Sequence, residues 1–272
     1  MARLILSIYN ILGNIFIWPL CLFLFRHSNF KDTLGLRLAF KLPPVPKGDL
    51  IWLHASSLGE VRAITPMIEA LKSKRPDCRI CLSIMTAAGR EAASRISGID
   101  IILPMPFDLA WIMRRYIMYL KPSILVIVET EIWPNLLIQA RKAHVKTIFI
   151  NARIAEKAFN RYKIVGSLMA YILNPSRILA SSTENASRFT ALGARQVEVF
   201  GNIKFDTMRK INPDKVYGIR QTLQCSNRPV FIAGSTREGE ERPVMEAIRE
   251  ADYRCRNCFA SLPRGIRKAF PF

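Results

Sequence analysis

Short apolar runs alternate with amphipathic stretches along most of the chain. The runs that predict β-strands are Leu50–His54, Arg79–Ile84, Ile101–Leu103, Ser123–Val128, Lys146–Ile150, Arg177–Ala180 and Gln196–Phe200. Strands that alternate with helices are typical of a parallel sheet covered on both faces. The pattern therefore predicts a doubly wound α/β fold.

Most of the intervening stretches have the apolar spacing of amphipathic helices. They are Glu60–Lys74, Ala87–Ile96, Leu109–Tyr119, Pro134–Ala143, Ala158–Leu173 and Glu184–Leu192. The last of these helices is expected to stop at Leu192, because Gly193 suits the left-handed conformation that often follows a helix.

The amino-terminal segment Leu4–Phe25 contains no charged residue. Its length matches the roughly 20 apolar residues that cross a bilayer core, so it predicts a membrane anchor over residues 1–26. Asn10, Asn14 and Pro19 leave open a shallow helix at the membrane surface. The basic residues that follow the segment are Arg26, Lys31, Arg37 and Lys41, whereas Arg3 and the amino terminus precede it. By the positive-inside rule, the following domain is expected in the cytoplasm.

Two domains are predicted after the anchor. The first is a complete Rossmann-like domain over residues 48–210, which follows a proline-rich connector. A further strand from Pro229 runs into a Gly/Ser/Thr turn, and a helix is expected from about Glu238. Residues 228–252 are therefore interpreted as only the start of a second Rossmann-like domain. The tail, residues 253–272, is rich in arginine and cysteine and shows no strand periodicity.

The composition favours an anionic partner. Forty Lys and Arg residues against 21 Asp and Glu residues give a formal net charge of +19, which suits nucleic acid, an acidic membrane surface or a phosphorylated substrate. The basic residues are scattered and no helix-turn-helix or RNP-like pattern accompanies them, so we expect no nucleic-acid partner. Cys255-x-x-Cys258 resembles half a zinc site but lacks a second pair, so no metal is expected.

The most informative polar residues follow the first predicted strand. The segment Ala55-Ser56-Ser57-Leu58-Gly59-Glu60 leads from that strand into a helix, and ligands in open α/β sheets bind beyond the carboxyl ends of strands. Ser57-x-x-Glu60 also spells a capping box, in which Glu60 would bind the backbone N–H of Ser57. The segment alone leaves both a catalytic and a capping role open.

Two carboxylates, Glu129 and Glu131, follow the strand that ends at Val128. A strand that continued through both would place them on the same face. A turn at Thr130 would instead separate them, with one near the helix that begins at Pro134 and the other facing the cleft.

Two later loops supply further polar candidates. Asn151-Ala152-Arg153 follows the next strand and could contact a ligand, or could be a solvated turn. Lys204 lies between two hydrophobic residues near the domain junction, where a cation could stabilise a departing phosphate or simply be solvated.

Five motifs occur in order along the chain, and together they resemble the Kdo (3-deoxy-D-manno-octulosonic acid) transferases of lipopolysaccharide biosynthesis. The motifs are His54-Ala-Ser-Ser-Leu-Gly-Glu60, Glu129-Thr-Glu-Ile-Trp-Pro-Asn135, Asn151-Ala-Arg153, Gly201-Asn-Ile-Lys-Phe-Asp206 and Ala233-Gly-Ser-Thr-Arg-Glu-Gly-Glu-Glu241. The resemblance implies a GT-B glycosyltransferase, in which two Rossmann-like domains face a cleft. It also implies CMP-Kdo as the donor substrate, the lipid A precursor as the acceptor, and no metal or other cofactor.

The resemblance assigns roles to individual residues. Glu60 is expected to be the catalytic base, and Glu129 and Lys204 are expected to stabilise the transition state. The expected substrate-binding residues are Ser56, Ser57, Gly59, Glu131, Asn151, Arg153, Ser235 and Thr236. The capping role of Glu60 is compatible with catalysis. The protein is then expected on the anionic surface of the cell inner membrane, held by its single amino-terminal anchor with the catalytic domain facing the cytoplasm.

The carboxyl-terminal residues depart from the family pattern. Members of the family continue the second domain much further and carry a Pro-Arg-His motif there. We therefore expect a frameshift shortly before or within residues 253–272, and little or no transferase activity from the 272-residue chain alone. Two alternatives stay open: another GT-B nucleotide-sugar transferase, or a non-catalytic, membrane-anchored module that binds the acceptor.

Overall fold

The computed structural model of the chain describes residues 1–25, 31–207, 216–218, 221, 231–234, 236–237, 239–250, 259–262 and 268–270. These residues belong to two compact units, Met1–Met208 and Arg209–Phe272. Ser235 and the pair Cys255 and Cys258, all singled out in the sequence, lie outside the described residues.

The first unit contains a seven-stranded sheet in which all neighbouring strands are parallel. Its strands are β1 (Leu50–Ala55), β2 (Arg79–Ile84), β3 (Ile101–Pro104), β4 (Ile124–Val128), β5 (Lys146–Ala152), β6 (Arg177–Ala180) and β7 (Gln196–Val199). The predicted strands are thus confirmed, with end shifts of a residue or two. Their order is β3-β2-β1-β4-β5-β6-β7, which is the order of a Rossmann fold extended by one strand.

Helices connect the strands. They are α1 (Ala2–Phe25), α2 (Leu34–Arg37), α3 (Leu58–Lys74), α4 (Ala87–Ala93), α5 (Ala110–Leu120), α6 (Pro134–Lys142), α7 (Glu156–Ile164), α8 (Gly166–Leu173) and α9 (Thr183–Ala191). A 3₁₀ turn, Ile203–Thr207, follows β7. The predicted cap at Gly193 is confirmed: its φ is +94°, and a Cβ atom there would lie 2.5 Å from the Cβ of Ala170.

One predicted helix is wrong as a continuous element. The stretch predicted as Ala158–Leu173 forms two helices that are interrupted at Val165. A β-branched residue followed by Gly166 is a weak point in a helix, and Val165 has the non-helical φ and ψ of −107° and 33°. The short helix α2 was not predicted, because four residues carry too little periodicity to be recognised.

The core lies on both faces of the sheet. One cluster joins α5, α6, α8 and α9 to the sheet, and the other joins α3 to the opposite face. Every residue of β1 is buried, as expected for a central strand covered on both sides. The sheet is therefore a rigid platform whose carboxyl edge carries the polar loops.

Helix α1 is long and apolar enough to cross a membrane. No other helix among the described residues meets both conditions. It also packs against the first unit. Ile17 is buried in the larger core cluster, and Ile5, Leu6 and Cys21 pack against that cluster.

The second unit contains β8 (Phe231–Gly234), α10 (Glu241–Glu250), β9 (Phe259–Leu262) and β10 (Lys268–Phe270) among its described residues. Strand β9 is parallel to β8, and β10 is antiparallel to β9. The expectation that residues 253–272 lack strand structure is wrong. Pairing with a neighbouring strand can impose extended structure on a segment without apolar alternation.

Candidate active site

The candidate site lies at the carboxyl ends of β1 and β4, which are neighbours in the sheet. The strand order reverses direction between them, and the helices that follow the two strands pack on opposite faces. Ligands of open α/β sheets bind in the crevice at such a switch point. Because Glu60 follows β1 whereas Glu129 and Glu131 follow β4, the topology brings the three predicted carboxylates to one edge.

Glu60 is tied to the first turn of α3. The Ser57 hydroxyl oxygen accepts the backbone N–H of Glu60 at 3.3 Å, and the Ser57 hydroxyl donates to Glu60 Oε1 at 2.8 Å. Oε2 accepts the backbone N–H of Ser56 at 2.7 Å. The capping interaction is therefore present, but the predicted bond to the N–H of Ser57 is wrong. Ser57 offers its hydroxyl to the carboxylate, and Ser56 supplies the backbone N–H.

Burial raises the pKa of Glu60, whose residue surface is only 7% exposed. The hydrogen bonds from Ser56 and Ser57 favour the carboxylate and act in the opposite direction, whereas the negative charges of Glu129 and Glu131 raise the pKa further. The net shift is upward. A carboxylate with a raised pKa is better matched to accepting a proton near neutral pH.

Glu129 is the centre of a second cluster of polar side chains. Its Oε1 lies 2.8 Å from the ammonium nitrogen of Lys204, and the guanidinium group of Arg153 donates to its Oε2. Asn151 Nδ2 donates to Oε1 at 3.3 Å. Three other predicted site residues, drawn from two separate loops, thus surround the carboxylate of Glu129, which is only 6% exposed.

The backbone at this cluster is strained. Glu129 has a φ of +60° and Asn151 a φ of +51°, each at the end of one of two paired strands. Non-glycine residues in this region cost on the order of 1 kcal/mol or more, and they concentrate at functional sites. Asn151 is 1% exposed, and among the described residues its Oδ1 has no hydrogen-bond partner.

The turn at Glu129 and Thr130 separates the two carboxylates, so the second of the two alternatives for this segment is confirmed. Glu131 lies on the β1 side of the site, where its Oε2 is 3.8 Å from His54 Nε2. The side chains of Ser56 and Trp133 also face this carboxylate. Glu131 does not cap α6.

His54 is fully buried beneath Glu131 and is held by two partners. The indole N–H of Trp133 approaches His54 Nε2 at 3.2 Å, and an indole nitrogen can only donate. Nε2 is therefore the acceptor, and Nδ1 carries the proton and donates to the carbonyl oxygen of Ser83 at 3.1 Å. His54 therefore connects β1, β2 and the start of α6.

The remaining predicted residues are placed differently. Gly59 is exposed in the first turn of α3, where a Cβ atom would meet only Ser57 Oγ at 3.8 Å. Thr236 follows β8 in the second unit. The structure thus gathers the predicted residues of the first unit at one edge of the sheet.

Sequence reasoning missed the residue that supports this edge. Asp108, which follows β3, accepts the backbone N–H groups of Asn135 and Leu136 at 3.0 and 2.8 Å and so caps α6. Asn135 Nδ2 donates to the Asp108 carbonyl oxygen at 2.6 Å. One signal was available in the sequence. The helix that begins at Pro134 has no Ser, Thr, Asp or Asn directly before it, so its first N–H groups need a cap from another part of the chain.

Among the described residues, no group of three or more His, Cys, Asp and Glu side chains is arranged to hold a metal ion. The charged side chains of the site offer two kinds of chemistry. A buried carboxylate can take a proton, and neighbouring cations can stabilise negative charge.

Comparison with known proteins gives a consistent assignment. Residues 31–207 match the family model of 3-deoxy-D-manno-octulosonic-acid transferase (kdotransferase). The chain is 30% identical over 232 residues to 3-deoxy-D-manno-octulosonic acid transferase of Haemophilus influenzae. The aligned region covers 82% of this chain and 54% of that protein. It is 31% identical over 213 residues to the enzyme of the same name from Bordetella pertussis. Here the aligned region covers 75% of this chain and 49% of that protein. The chain spans about half the length of the curated relatives it matches.

Among solved structures, the chain is similar to UDP-GlcNAc 2-epimerase of Neisseria meningitidis in complex with UDP-GlcNAc. The TM-score is 0.52 at 14% sequence identity, covering 78% of this chain and 64% of that one. This likeness concerns the fold alone. Together with the parallel sheet and its flanking helices, it confirms the predicted α/β architecture, with the amino-terminal Rossmann-like domain of a GT-B protein.

Proposed function

The chain belongs to the 3-deoxy-D-manno-octulosonic acid (Kdo) transferase family of glycosyltransferases, and we propose that its first unit provides the acceptor-binding and catalytic half of an enzyme that transfers Kdo from CMP-Kdo to a hydroxyl group of the lipid A precursor lipid IVA. Little or no transfer is expected from the 272-residue chain without a complete donor domain. The transfer takes place at the cytoplasmic face of the inner membrane, with α1 holding the protein there. The proposal uses no metal ion and no cofactor other than the donor substrate.

The observation that carries the proposal is the environment of Glu60. Its carboxylate is buried, has a raised pKa and is fixed by Ser56 and Ser57 at the switch point of the sheet. In the proposed step, Glu60 takes the proton of the acceptor hydroxyl while the acceptor oxygen bonds to the anomeric carbon of Kdo. The bond from that carbon to the CMP phosphate breaks, and its electron pair leaves with the phosphate.

The cluster around Glu129 supplies positive charge beside this base. Lys204 and Arg153 carry two positive charges against the single carboxylate of Glu129, so the cluster retains one net positive charge. A fixed cation of this kind can stabilise the Kdo carboxylate and the phosphate that develops charge in the transition state. In this proposal Glu129 acts by holding Lys204 and Arg153 in place.

The remaining site residues are proposed to bind the substrates. Ser56, Ser57, Gly59 and Glu131 line the β1 side, where hydroxyl and carboxylate groups suit the hydroxyl groups of a sugar. On the β5 side, Asn151 offers a buried amide oxygen that has no hydrogen-bond partner among the described residues. The net charge of +19 favours a bisphosphorylated acceptor in an anionic membrane leaflet.

The test measures two quantities in detergent: binding of lipid IVA by the 272-residue chain, and transfer of Kdo from CMP-Kdo to lipid IVA by the same chain completed with the donor domain of a relative. We expect Glu60→Gln to bind lipid IVA as the native protein does and to lose transfer. Exposed Glu69→Gln on the same helix is the control and should change neither quantity. Transfer that is unaffected by Glu60→Gln would contradict the proposal, and acceptor binding without transfer by the completed chain that retains Glu60 would favour a non-catalytic binding module.

A further inference from the structure

Helix α1 contacts the first unit at positions from Ile5 to Cys21. Its less exposed positions recur every three or four residues, which is one face of a helix. They are Ala2, Ile5, Leu6, Asn10, Gly13, Ile17, Cys21 and Leu24. The stripe runs from the first residue of the helix almost to its last, so no long segment of α1 projects freely from the domain.

Specific contacts fix the middle of α1 to the carboxyl edge of the sheet. Tyr9 donates a hydrogen bond to Asp108 Oδ2 at 3.0 Å, and the indole N–H of Trp111 donates to Asn14 Oδ1 at 3.2 Å. At Gly13 the backbone approaches so closely that a Cβ atom would lie 2.7 Å from Leu109 Cδ2. These contacts set the direction of α1 relative to the domain.

The other side of α1 is apolar and uncovered. Large side chains along it are exposed, among them Leu4, Ile11, Ile15, Phe16, Trp18 and Leu22. The exposed apolar surface continues onto α5, where Trp111 and Met118 are exposed and Phe40 stacks on Trp111 with ring centroids 6.2 Å apart. Contiguous apolar surface of this extent marks a contact with a membrane or a partner.

Charge next to this surface favours a membrane. A groove of about 920 Å³ lies between α5 and α6, with Trp111, Met118, Arg114, Arg115 and Lys142 among its lining residues. The three basic side chains are exposed, and none of them forms an ion pair with a carboxylate of the described residues. Aromatic and basic side chains beside an apolar helix face are typical of a surface that meets anionic lipid headgroups.

We propose that α1 lies in the plane of the membrane interface, without crossing the bilayer, and that the groove between α5 and α6 binds the phosphate of an anionic phospholipid. Because α1 contacts the domain from Ile5 to Cys21, a spanning α1 would carry Arg114 and Arg115 towards the hydrocarbon core, where charged side chains are costly. With α1 lying flat, the same arginines reach the headgroups. The proposal does not rest on the transferase function.

The first experiment tests the groove. Flotation of the purified protein is compared on phosphatidylcholine vesicles and on vesicles that contain phosphatidylglycerol, without any acceptor lipid. We expect Arg114→Gln/Arg115→Gln to lower the affinity for the anionic vesicles roughly tenfold or more and to leave binding to phosphatidylcholine unchanged. The control Lys74→Gln/Arg195→Gln removes the same charge from exposed positions outside the groove and should lower the affinity less than threefold.

Two results would overturn the groove site: an equal loss in both double variants, which would show a general charge effect, or no loss in either. A native protein that stays off all vesicles as a dimer would overturn the membrane surface itself, since a second copy would then cover the apolar face of α1.

The second experiment tests the orientation of α1. Nitroxide labels are attached to single cysteines introduced as Ile8→Cys, Ile15→Cys and Leu22→Cys in a cysteine-free background that binds vesicles as the native protein does. These positions share the exposed face and are spaced evenly along α1. A helix in the plane of the interface gives the three labels a similar, shallow depth. A spanning helix would place the middle label deepest, and that profile would refute the proposal.

Discussion

Glu129 Oε1 lies 2.8 Å from the ammonium nitrogen of Lys204, although one residue follows β4 and the other lies in the 3₁₀ turn after β7. Glu129 is buried, whereas the Lys204 side chain is 40% exposed. The carboxylate therefore holds a partly exposed cation at the edge of the site. Lys204 is the residue of this pair that can reach a substrate, and Glu129 fixes its position.

This relationship predicts that the two residues act as a unit. Lys204→Met is expected to lower kcat about a hundredfold or more, as the loss of one stabilising charge in a protected site does. Glu129→Gln is expected to lower kcat as well, because it removes the negative charge that faces Lys204 and Arg153. The double variant should be little worse than Lys204→Met alone, since coupled residues are not additive.

The measurement is a double-mutant cycle, in which Kdo transfer is compared in the native protein, the two single variants and the double variant, each completed with the donor domain of a relative. Lys204→Arg should restore part of the activity, because it retains a cation that can reach Glu129. Exposed Lys157→Met is the control for loss of a surface charge. Additive losses in the double variant would contradict the coupling.

Glu60 predicts a specific pH dependence. A general base must be ionised to work, and burial raises the pKa of Glu60 above that of an exposed glutamate. The acid side of the pH profile of kcat/KM should therefore fall at a pH above the ordinary range for a carboxylate, about 4.3. Glu60→Gln should lower kcat by about two to four orders of magnitude and remove this limb.

The profile is measured from pH 4.5 to 8 at fixed ionic strength. In the control Glu69→Gln, the acid limb should stay where it is in the native protein. A limb that persists in Glu60→Gln with the same midpoint would assign it to another group.

Much of the fold was predictable because its signals are local. Apolar runs and amphipathic stretches predict the seven strands and most helices, and Gly193 predicts a helix end that the structure confirms. The order of the strands is not local. Nothing in the sequence itself says that β1 pairs with β4, which is what brings Glu60 near Glu129. The carboxylates could be placed at strand ends, but not beside one another.

The parts of the site that escaped prediction depend on tertiary contacts. Asp108 caps α6 from a loop that follows another strand, so no sequence motif records it. Glu129 and Asn151 adopt positive φ without being glycine, which the surrounding contacts impose and residue type does not signal. The docking of α1 likewise depends on a match between Gly13 and Leu109 that hydropathy cannot show.

Gly59 offers a way to separate ligand binding from folding. A Cβ atom at this position would make only an ordinary contact, with Ser57 Oγ at 3.8 Å, so Gly59→Ala should fold with unchanged or slightly higher stability. If a substrate approaches the open first turn of α3, the added methyl group should raise KM several-fold and leave kcat less affected.

The matched control is Gly166→Ala, which adds the same methyl group at the start of α8, where nothing lies within 4 Å. Thermal unfolding and KM are measured for both variants. Equal KM values in the native protein and in Gly59→Ala would mean that no substrate comes close to this turn.

Asp108 predicts a pH dependence of stability with a defined sign. Burial raises its pKa to about 6, although the N–H groups of Asn135 and Leu136 and the Tyr9 hydroxyl act against the shift. A carboxyl group with a raised pKa binds its proton more tightly when folded. Its contribution to the free energy of unfolding is therefore full below the unfolded pKa of about 4 and is lost as the pH rises through about 6. Two pKa units correspond to a loss of about 3 kcal/mol.

The comparison is urea unfolding of the native protein and of Asp108→Asn in the same detergent at intervals from pH 4 to 7. Asparagine offers one oxygen to the two N–H groups of α6, so the variant is less stable throughout, and the informative quantity is the slope. The native free energy of unfolding should fall relative to that of the variant between pH 4 and 6.

Asp100→Asn is a control with the opposite sign. Lys72, Arg79 and the N–H of Ile80 outweigh burial and lower the pKa of Asp100, so the native free energy of unfolding should rise with pH relative to that of Asp100→Asn. Parallel curves for the native protein and Asp108→Asn would show that the three hydrogen bonds to Asp108 offset the cost of its burial.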